Sequence, residues 1–175
     1  MKGVVPSCLG EMVGKRYGDS AWQQVLETAG LSANTYFRPQ EDVDDATVMR
    51  LLQSMCAVLG LGRMAAAEAF GEHWCCEFAP RIYRSYYVGC ANAKEFLLRM
   101  GQVHEQVTRA HPLARPPMFT YEDPAPDRLI MNYESHRSMG DIFVGLVKGV
   151  GRYFHEDLKV RRLHQATVEI TFAAE

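Results

Sequence analysis

His104 and, twenty-nine residues later, the alternating Tyr133, Ser135 and Arg137 are residues whose types and spacing suit the holding of a ligand. A neutral imidazole can bind a transition metal through one ring nitrogen. Two hydroxyls and a guanidinium can hold a pair of carboxylates, the guanidinium through parallel N–H groups. A haem presents both targets, an iron and two propionates. Each half of the pattern is weak alone. A histidine on the inner face of a helix is more often a core side chain bonded to a carbonyl. Tyr-x-Ser-x-Arg is short enough to arise by chance, and its bland reading is an exposed strand edge with a surface ion pair. If a strand runs through positions 133 to 137 the three side chains share a face; if the chain turns there they can still converge.

The elements that must position these residues follow from hydrophobic period and capping signals. Val5, Leu9, Met12 and Val13 mark a first helix ending near Tyr17-Gly18, with Pro6 tolerated in its first turn. Ser20-x-x-Gln23 reads as a capping box opening a second helix that Gly30 stops, and another short helix is expected after it. The acidic run Glu41 to Asp45 precedes a helix bearing Val48, Leu51, Leu52, Met55 and Leu59, stopped by Gly60. From Met64 to about Ala79 the stripe Ala67, Phe70, Trp74, Phe78 predicts one continuous helix closed by Pro80. Asn92-x-x-Glu95 reads as the cap of the helix carrying His104, which the spacing turns inward, and His111-Pro112 and Pro116-Pro117 end it. The period then changes. Met118–Tyr121 and Arg128–Tyr133 read as antiparallel strands joined by a turn over Asp123 to Asp127. A helix with Ile142, Phe143, Leu146 and Val147 and two closing strands, Leu158–Leu163 and Ala166–Phe172, complete the chain. The fold class is α+β, with a helical part of about residues 1–65 and a second part of about 66–175 holding a mainly antiparallel four-stranded sheet and one long helix.

Composition narrows the function classes. A chain of 175 residues with 47% hydrophobic and 23% charged residues is one globular, soluble domain. A formal charge of −2 gives no electrostatic case for nucleic acid. No apolar run suits membrane insertion, and Gly10, Glu11 and Lys15 interrupt any signal-peptide core, so a cytoplasmic setting is expected. Five cysteines without a C-x-x-C pair suit reduced thiols and argue against structural zinc. His104 and His111 with Glu105 lack the spacing of a zincin helix.

With these elements in order, the whole chain resembles the haem nitric-oxide/oxygen-binding (H-NOX) domains, a family that includes the haem domain of the soluble guanylate cyclase β-subunit. The resemblance rests on Met1-Lys2-Gly3, Tyr17-Gly18, the Glu41–Asp45 run, Gly71 with Phe78, Val103-His104, Pro116-Pro117, Tyr133-x-Ser135-x-Arg137 and Gly145-Leu146. It implies a haem b cofactor lying between the two parts, with His104 as the iron ligand and Tyr133, Ser135 and Arg137 on the propionates. It also implies that Pro117 presses on the macrocycle, that Met100 lines the pocket, and that Asp45 orients the Arg137 guanidinium.

The same resemblance sets Val5, Leu9, Trp74, Phe78, Ile142 and Leu146 on the haem face opposite His104. None carries a hydroxyl. In oxygen-binding relatives a tyrosine stands where this chain has Ile142 and donates to the bound oxygen, a contribution on the order of 1 kcal/mol or more. Trp74 has an indole N–H, but packing is its commoner use on an aromatic stripe. The resemblance therefore implies a sensor of NO and CO that excludes oxygen, and not an enzyme, since an apolar distal set lacks acid–base groups. Signalling would follow weakening of the Fe–His104 bond and reach a partner in trans, a histidine kinase or a cyclic-di-GMP enzyme. The rival reading is a cysteine redox module using Cys75, Cys76 or Cys8 with haem secondary, against which stands the usual inertness of cysteines on apolar helices.

Overall fold

The computed structural model describes residues 1–109, 115–137 and 139–173. They fall into two compact units, Met1–Ala66 and Ala67–Glu175.

The first unit is helical. α1 (Val4–Tyr17) carries Pro6 in its first turn and buries Cys8, Leu9, Met12 and Val13. Gly18, at φ 91°, makes the bend into α2 (Asp19–Thr28) and serves as its N-cap. The capping box predicted at Ser20 is not used, because the Gly18 carbonyl already accepts from Ala21 and Trp22 and starts the helix two residues earlier. α2 closes in a Schellman arrangement: Leu31 N–H reaches the Leu26 carbonyl, Gly30 N–H reaches Glu27, and Gly30 takes the left-handed φ of 78° that this requires. The short helix expected next is absent. Residues 31–44 run in turns and extended chain because their backbone groups are engaged elsewhere: Pro39 and Glu41 carbonyls accept from Val4 and Gly3, and Val43 N–H donates to Met1. α3 (Asp45–Leu59) is capped by Asp44, whose carboxylate accepts from Thr47 N–H at 3.1 Å, and buries Val48, Leu51 and Met55.

The second unit begins within α4 (Arg63–His73), and here the sequence expectation fails in an informative way. The helix widens into a π-helical turn over Trp74–Phe78 and runs on through Pro80 as α5 (Ala79–Ile82). Pro80 therefore does not close it. A proline inside an α-helix loses one ladder bond and crowds the carbonyl four residues back; the π turn moves the ladder to an i to i−5 spacing, seen in Ala79 N–H bonding Trp74, and takes the residue in. α6 (Arg84–Val88) follows.

α7 (Ala93–Leu98) starts as the sequence predicts, with Asn92 Oδ1 accepting from Glu95 N–H at 2.8 Å and Glu95 Oε2 accepting from Ala91 N–H. It does not continue to His104. The chain breaks at Arg99, and α8 (Met100–Thr108) is a separate helix with no buried residue. The expected stop at His111-Pro112 lies outside the described residues.

Four antiparallel strands form one sheet in the order β1-β2-β4-β3: β1 (Met118–Ala125), β2 (Arg128–Glu134), β3 (Lys159–His164) and β4 (Thr167–Thr171). β1 extends into the predicted turn, with a register shift between Glu122 and Ala125 that takes in Pro124 on an edge strand, where no ladder donor is needed. α9 (Gly140–Tyr153) buries Phe143, Val144, Val147 and Val150. These belong to one core with the inward alternation of β2 (Leu129, Met131) and of β4 (Val168, Ile170), and with Phe96 and Leu97 of α7. Each such side chain contributes about 1.5–3 kcal/mol by leaving water. Among the described residues no helix is long and apolar enough to cross a membrane.

Candidate haem site

His104 lies on the second turn of α8, half-buried, with its Nδ1 2.8 Å from the Met100 carbonyl oxygen. A carbonyl only accepts, so Nδ1 carries the proton and the lone pair is left on Nε2. That is the tautomer a metal ligand needs. Burial holds the imidazole below its ordinary pKa, and the bond to Met100 opposes this in part. The ring rests against Phe119, centroid to centroid 5.3 Å. Phe119 stands 5.8 Å from Tyr133, and Tyr133 stacks on Phe143 at 5.2 Å.

The second half of the pattern sits where β2 ends. The strand stops at Glu134, so Tyr133, Ser135 and Arg137 do not share a strand face; a turn at His136-Arg137 brings them together. Arg137 N–H donates to Ser135 Oγ at 3.2 Å. Burial pushes the Tyr133 phenol above its usual range, opposed by a hydrogen bond with Ser135 and by the Arg137 charge, which marks all three as neighbours. β2 is an inner strand of the sheet, so the edge-strand reading does not apply. Arg137 Nη1 also donates to the Arg115 carbonyl at 2.8 Å, tying this cluster to the segment that leads into half-buried Pro117. A neutral imidazole with a free Nε2, and hydroxyl and guanidinium donors among aromatic rings, are a donor set that fits an iron with two carboxylates.

The side chains assigned to the opposite face fall on three elements. Val5 and Leu9 lie one turn apart on α1, Leu9 fully buried. Trp74 and Phe78 occupy the π turn, their rings stacked at 5.7 Å, with Phe70 at 5.8 Å from Trp74. Ile142 and Leu146 are one turn apart on α9 and half-buried, while Met100 opens α8. Asp45 opens α3 and pairs with the Met1 α-ammonium at 2.7 Å. Asp44 is the helix cap, and Asp42 pairs with Lys2 at 2.8 Å.

α9 and α4 cross with backbones in contact. A Cβ at Gly71 would lie 2.0 Å from the Gly145 carbonyl oxygen, one at Gly145 2.0 Å from that of Ala67, and one at Gly149 2.2 Å from that of Gly71. Lys148 pairs with Glu68 at 2.5 Å and Arg152 with Glu72 beside the crossing. Both thiols of the Cys75-Cys76 pair reach α9, donating to the carbonyls of Leu146 and Gly149. Burial pushes the Cys75 thiol well above its usual range, the opposite of what a redox-active thiolate requires.

Sequence reasoning missed Phe119 and Tyr121. Their signal was available in the alternation of β1, which turns both toward one face.

A sequence model of the family described as "haem-NO-binding" matches residues 2–162. The chain belongs to that family. It is 27% identical over 164 residues to a soluble guanylate cyclase of Caenorhabditis elegans, gcy-37, a match covering 90% of this chain but only 23% of that protein's length. The chain thus spans about a quarter of that relative. Among solved structures it is similar to an H-NOX domain carrying 4-cyano-L-phenylalanine at site 5, with TM-score 0.90 and 26% identity over 99% of this chain and 97% of the other. It is also similar to an oxygen-binding H-NOX domain related to soluble guanylate cyclases, in its oxygen complex, with TM-score 0.85 and 26% identity over 99% and 96%. The chain has the α+β fold of the H-NOX domains.

Proposed function

We propose that this protein is a haem-based gas sensor that takes NO and CO and excludes oxygen. The carrying observation is the His104 imidazole, fixed in the Nδ1–H tautomer by the Met100 carbonyl with Nε2 left to bind iron. Tyr133, Ser135 and Arg137 would hold the propionates of haem b, and Pro117, two residues beyond the Arg115 carbonyl that accepts from Arg137, would meet the macrocycle. A ferrous haem held by His104 would supply an iron centre able to bind a diatomic gas, and the hold of His104 on that iron would be the contact that NO weakens.

Selectivity rests on what the chain puts around that gas. Ile142 and Leu146 present only hydrocarbon from α9. Oxygen, which would gather partial negative charge on binding, would gain from a hydroxyl donor on the order of 1 kcal/mol or more; NO would need none. Loss of the hold on His104 would loosen α8, none of whose residues is fully buried, and the altered α8 would be the signal. A ligand shifts such an equilibrium only by binding one state better, and loss of the histidine bond is that difference. The output passes to a histidine kinase or a cyclic-di-GMP enzyme in trans.

Absorption spectra of the ferrous protein before and after NO, CO and oxygen test the reading. Stable NO and CO complexes and no oxygen complex are expected. His104→Gly should lose the haem unless imidazole is supplied; retention of a histidine-ligated spectrum would overturn the ligand assignment. Ile142→Tyr should raise oxygen affinity about tenfold or more, the equivalent of one charge-assisted hydrogen bond. An unchanged affinity removes Ile142 as the selectivity position.

A further inference from the structure

We propose that Tyr121 is a positioning residue for the His104 imidazole, acting through the peptide group that joins Met100 to Gly101. The proposal rests on the reading of His104 as the iron ligand. The Met100 carbonyl accepts the Nδ1 proton of His104 at 2.8 Å. On the other side of the same peptide, Gly101 N–H donates to the Tyr121 phenol oxygen at 3.2 Å. The two ends of a peptide are one delocalised unit, so a bond accepted from the N–H makes the carbonyl a better acceptor. Phenol, amide, carbonyl and imidazole therefore form a relay whose last member is the nitrogen pair of the ligand. A stronger acceptor at Nδ1–H gives the imidazole more anionic character and makes Nε2 the better donor to iron.

Three further observations assign the phenol to this task. Gly101 lies in the first turn of α8, where N–H groups have no partner within the helix, so the phenol oxygen fills a real vacancy. Tyr121 and Phe119 lie on the same face of β1, and Phe119 carries the other contact to His104, its ring at 5.3 Å. One strand face thus supports both the ring of the imidazole and the peptide that orients it. Finally, no residue of α8 is fully buried, so the bond to Tyr121 and the ring contact with Phe119 weigh heavily in the orientation of His104.

The test compares wild type, Tyr121→Phe and, as a control on a tyrosine outside the relay, Tyr86→Phe, all as the ferrous haem protein. Resonance Raman of the unliganded form reads the iron–histidine stretch. NMR of the diamagnetic CO form reads the His104 Nδ1 proton and the exchange of the Gly101 amide. Tyr121→Phe is expected to lower the stretching frequency, move the Nδ1 proton upfield and expose the Gly101 amide to exchange. NO-driven loss of the histidine bond should run about two- to fivefold faster, less than the 10–100-fold of a partner bonded directly to a metal-ligating histidine. Tyr86→Phe should match wild type in all four.

If the phenylalanine variant does not hold haem, Tyr121→4-aminophenylalanine, isosteric and a poorer acceptor, should show the same shifts at smaller size. An unchanged stretch and Nδ1 proton in the variant that binds haem overturn the relay. His104→Gly separates the two claims: an iron–histidine band that vanishes there while the Tyr121 variants match wild type ends the relay alone. A band that persists in His104→Gly ends the ligand reading and the relay with it.

Discussion

α8 and α9 are both helices of the second unit, yet they are held by opposite means. α9 buries Phe143, Val144, Val147 and Val150 and lies backbone to backbone on α4, with Gly71, Gly145 and Gly149 removing the side chains that would keep the two apart. α8 has no fully buried residue, only half-buried ones such as Met100 and His104, and it follows a break at Arg99 from α7. The Lys94 ammonium pins α7 to the β1–β2 turn through Asp123, Ala125 and Pro126, and Glu156 accepts from Ala93 N–H. α8 makes a bond from Gly101 to Tyr121 and a ring contact from His104 to Phe119. Close-packed helices shift in discrete steps at high cost, whereas a helix on a few polar contacts opens at little cost. Under the proposed function, α9 would keep the shape of the gas-facing wall and α8 would be the helix that lets go.

The same substitution in each helix separates the two designs most sharply. Gly145→Ala should destabilise the protein by about 2–3 kcal/mol, because the new Cβ meets the Ala67 carbonyl, a backbone atom that cannot swing aside. Urea denaturation measures it, and a loss below about 1 kcal/mol would show that the crossing yields. Gly101→Ala should have the opposite sign. The added methyl would lie 3.9 Å from the Tyr121 oxygen, an ordinary contact, and alanine is favoured over glycine in a helix by up to about 1 kcal/mol. A destabilised Gly101→Ala protein would mean that α8 is more tightly seated than its exposure indicates. Smallest is Lys148→Ala, which removes the ion pair with Glu68 beside the crossing. A loss of about 0.5 kcal/mol is expected, as for a pair still open to water, and a loss above about 2 kcal/mol would shift the credit for the crossing from glycine contact to charge.

The elements that carry local signals were legible in the sequence. Asn92 and Asp44 act as caps and Gly30 and Gly60 as left-handed stops, because each is a short-range bond or a backbone angle that neighbouring residues determine. Where tertiary contacts decide, the reading ran out. The stretch after Gly30 has no helix because the chain start takes its carbonyls, and nothing within residues 31–44 announces that. The break at Arg99 is equally silent, since the apolar spacing of Phe96, Met100, Val103 and Val107 continues across it. At the site, the types of His104, Tyr133, Ser135 and Arg137 suggested the chemistry, but their convergence comes from a turn at position 136 rather than from strand alternation. Tyr121 escaped because the fold alone decides which amide lies opposite its phenol.

The π turn at Trp74–Phe78 has a consequence for counting. Such a turn is an α-helix with one residue too many, and an α-helix advances about 100° per residue. A relative that lacks the extra residue would present the same faces with every number after it displaced by one, so the side chain matched to Phe78 would be its neighbour. Loss of a single residue between Trp74 and Phe78, far from both ends of the chain, would turn the aromatic wall away from its place and return Pro80 to a ladder it cannot complete. Here the length of a helix, as much as the identity of any residue in it, sets which way the aromatic rings face.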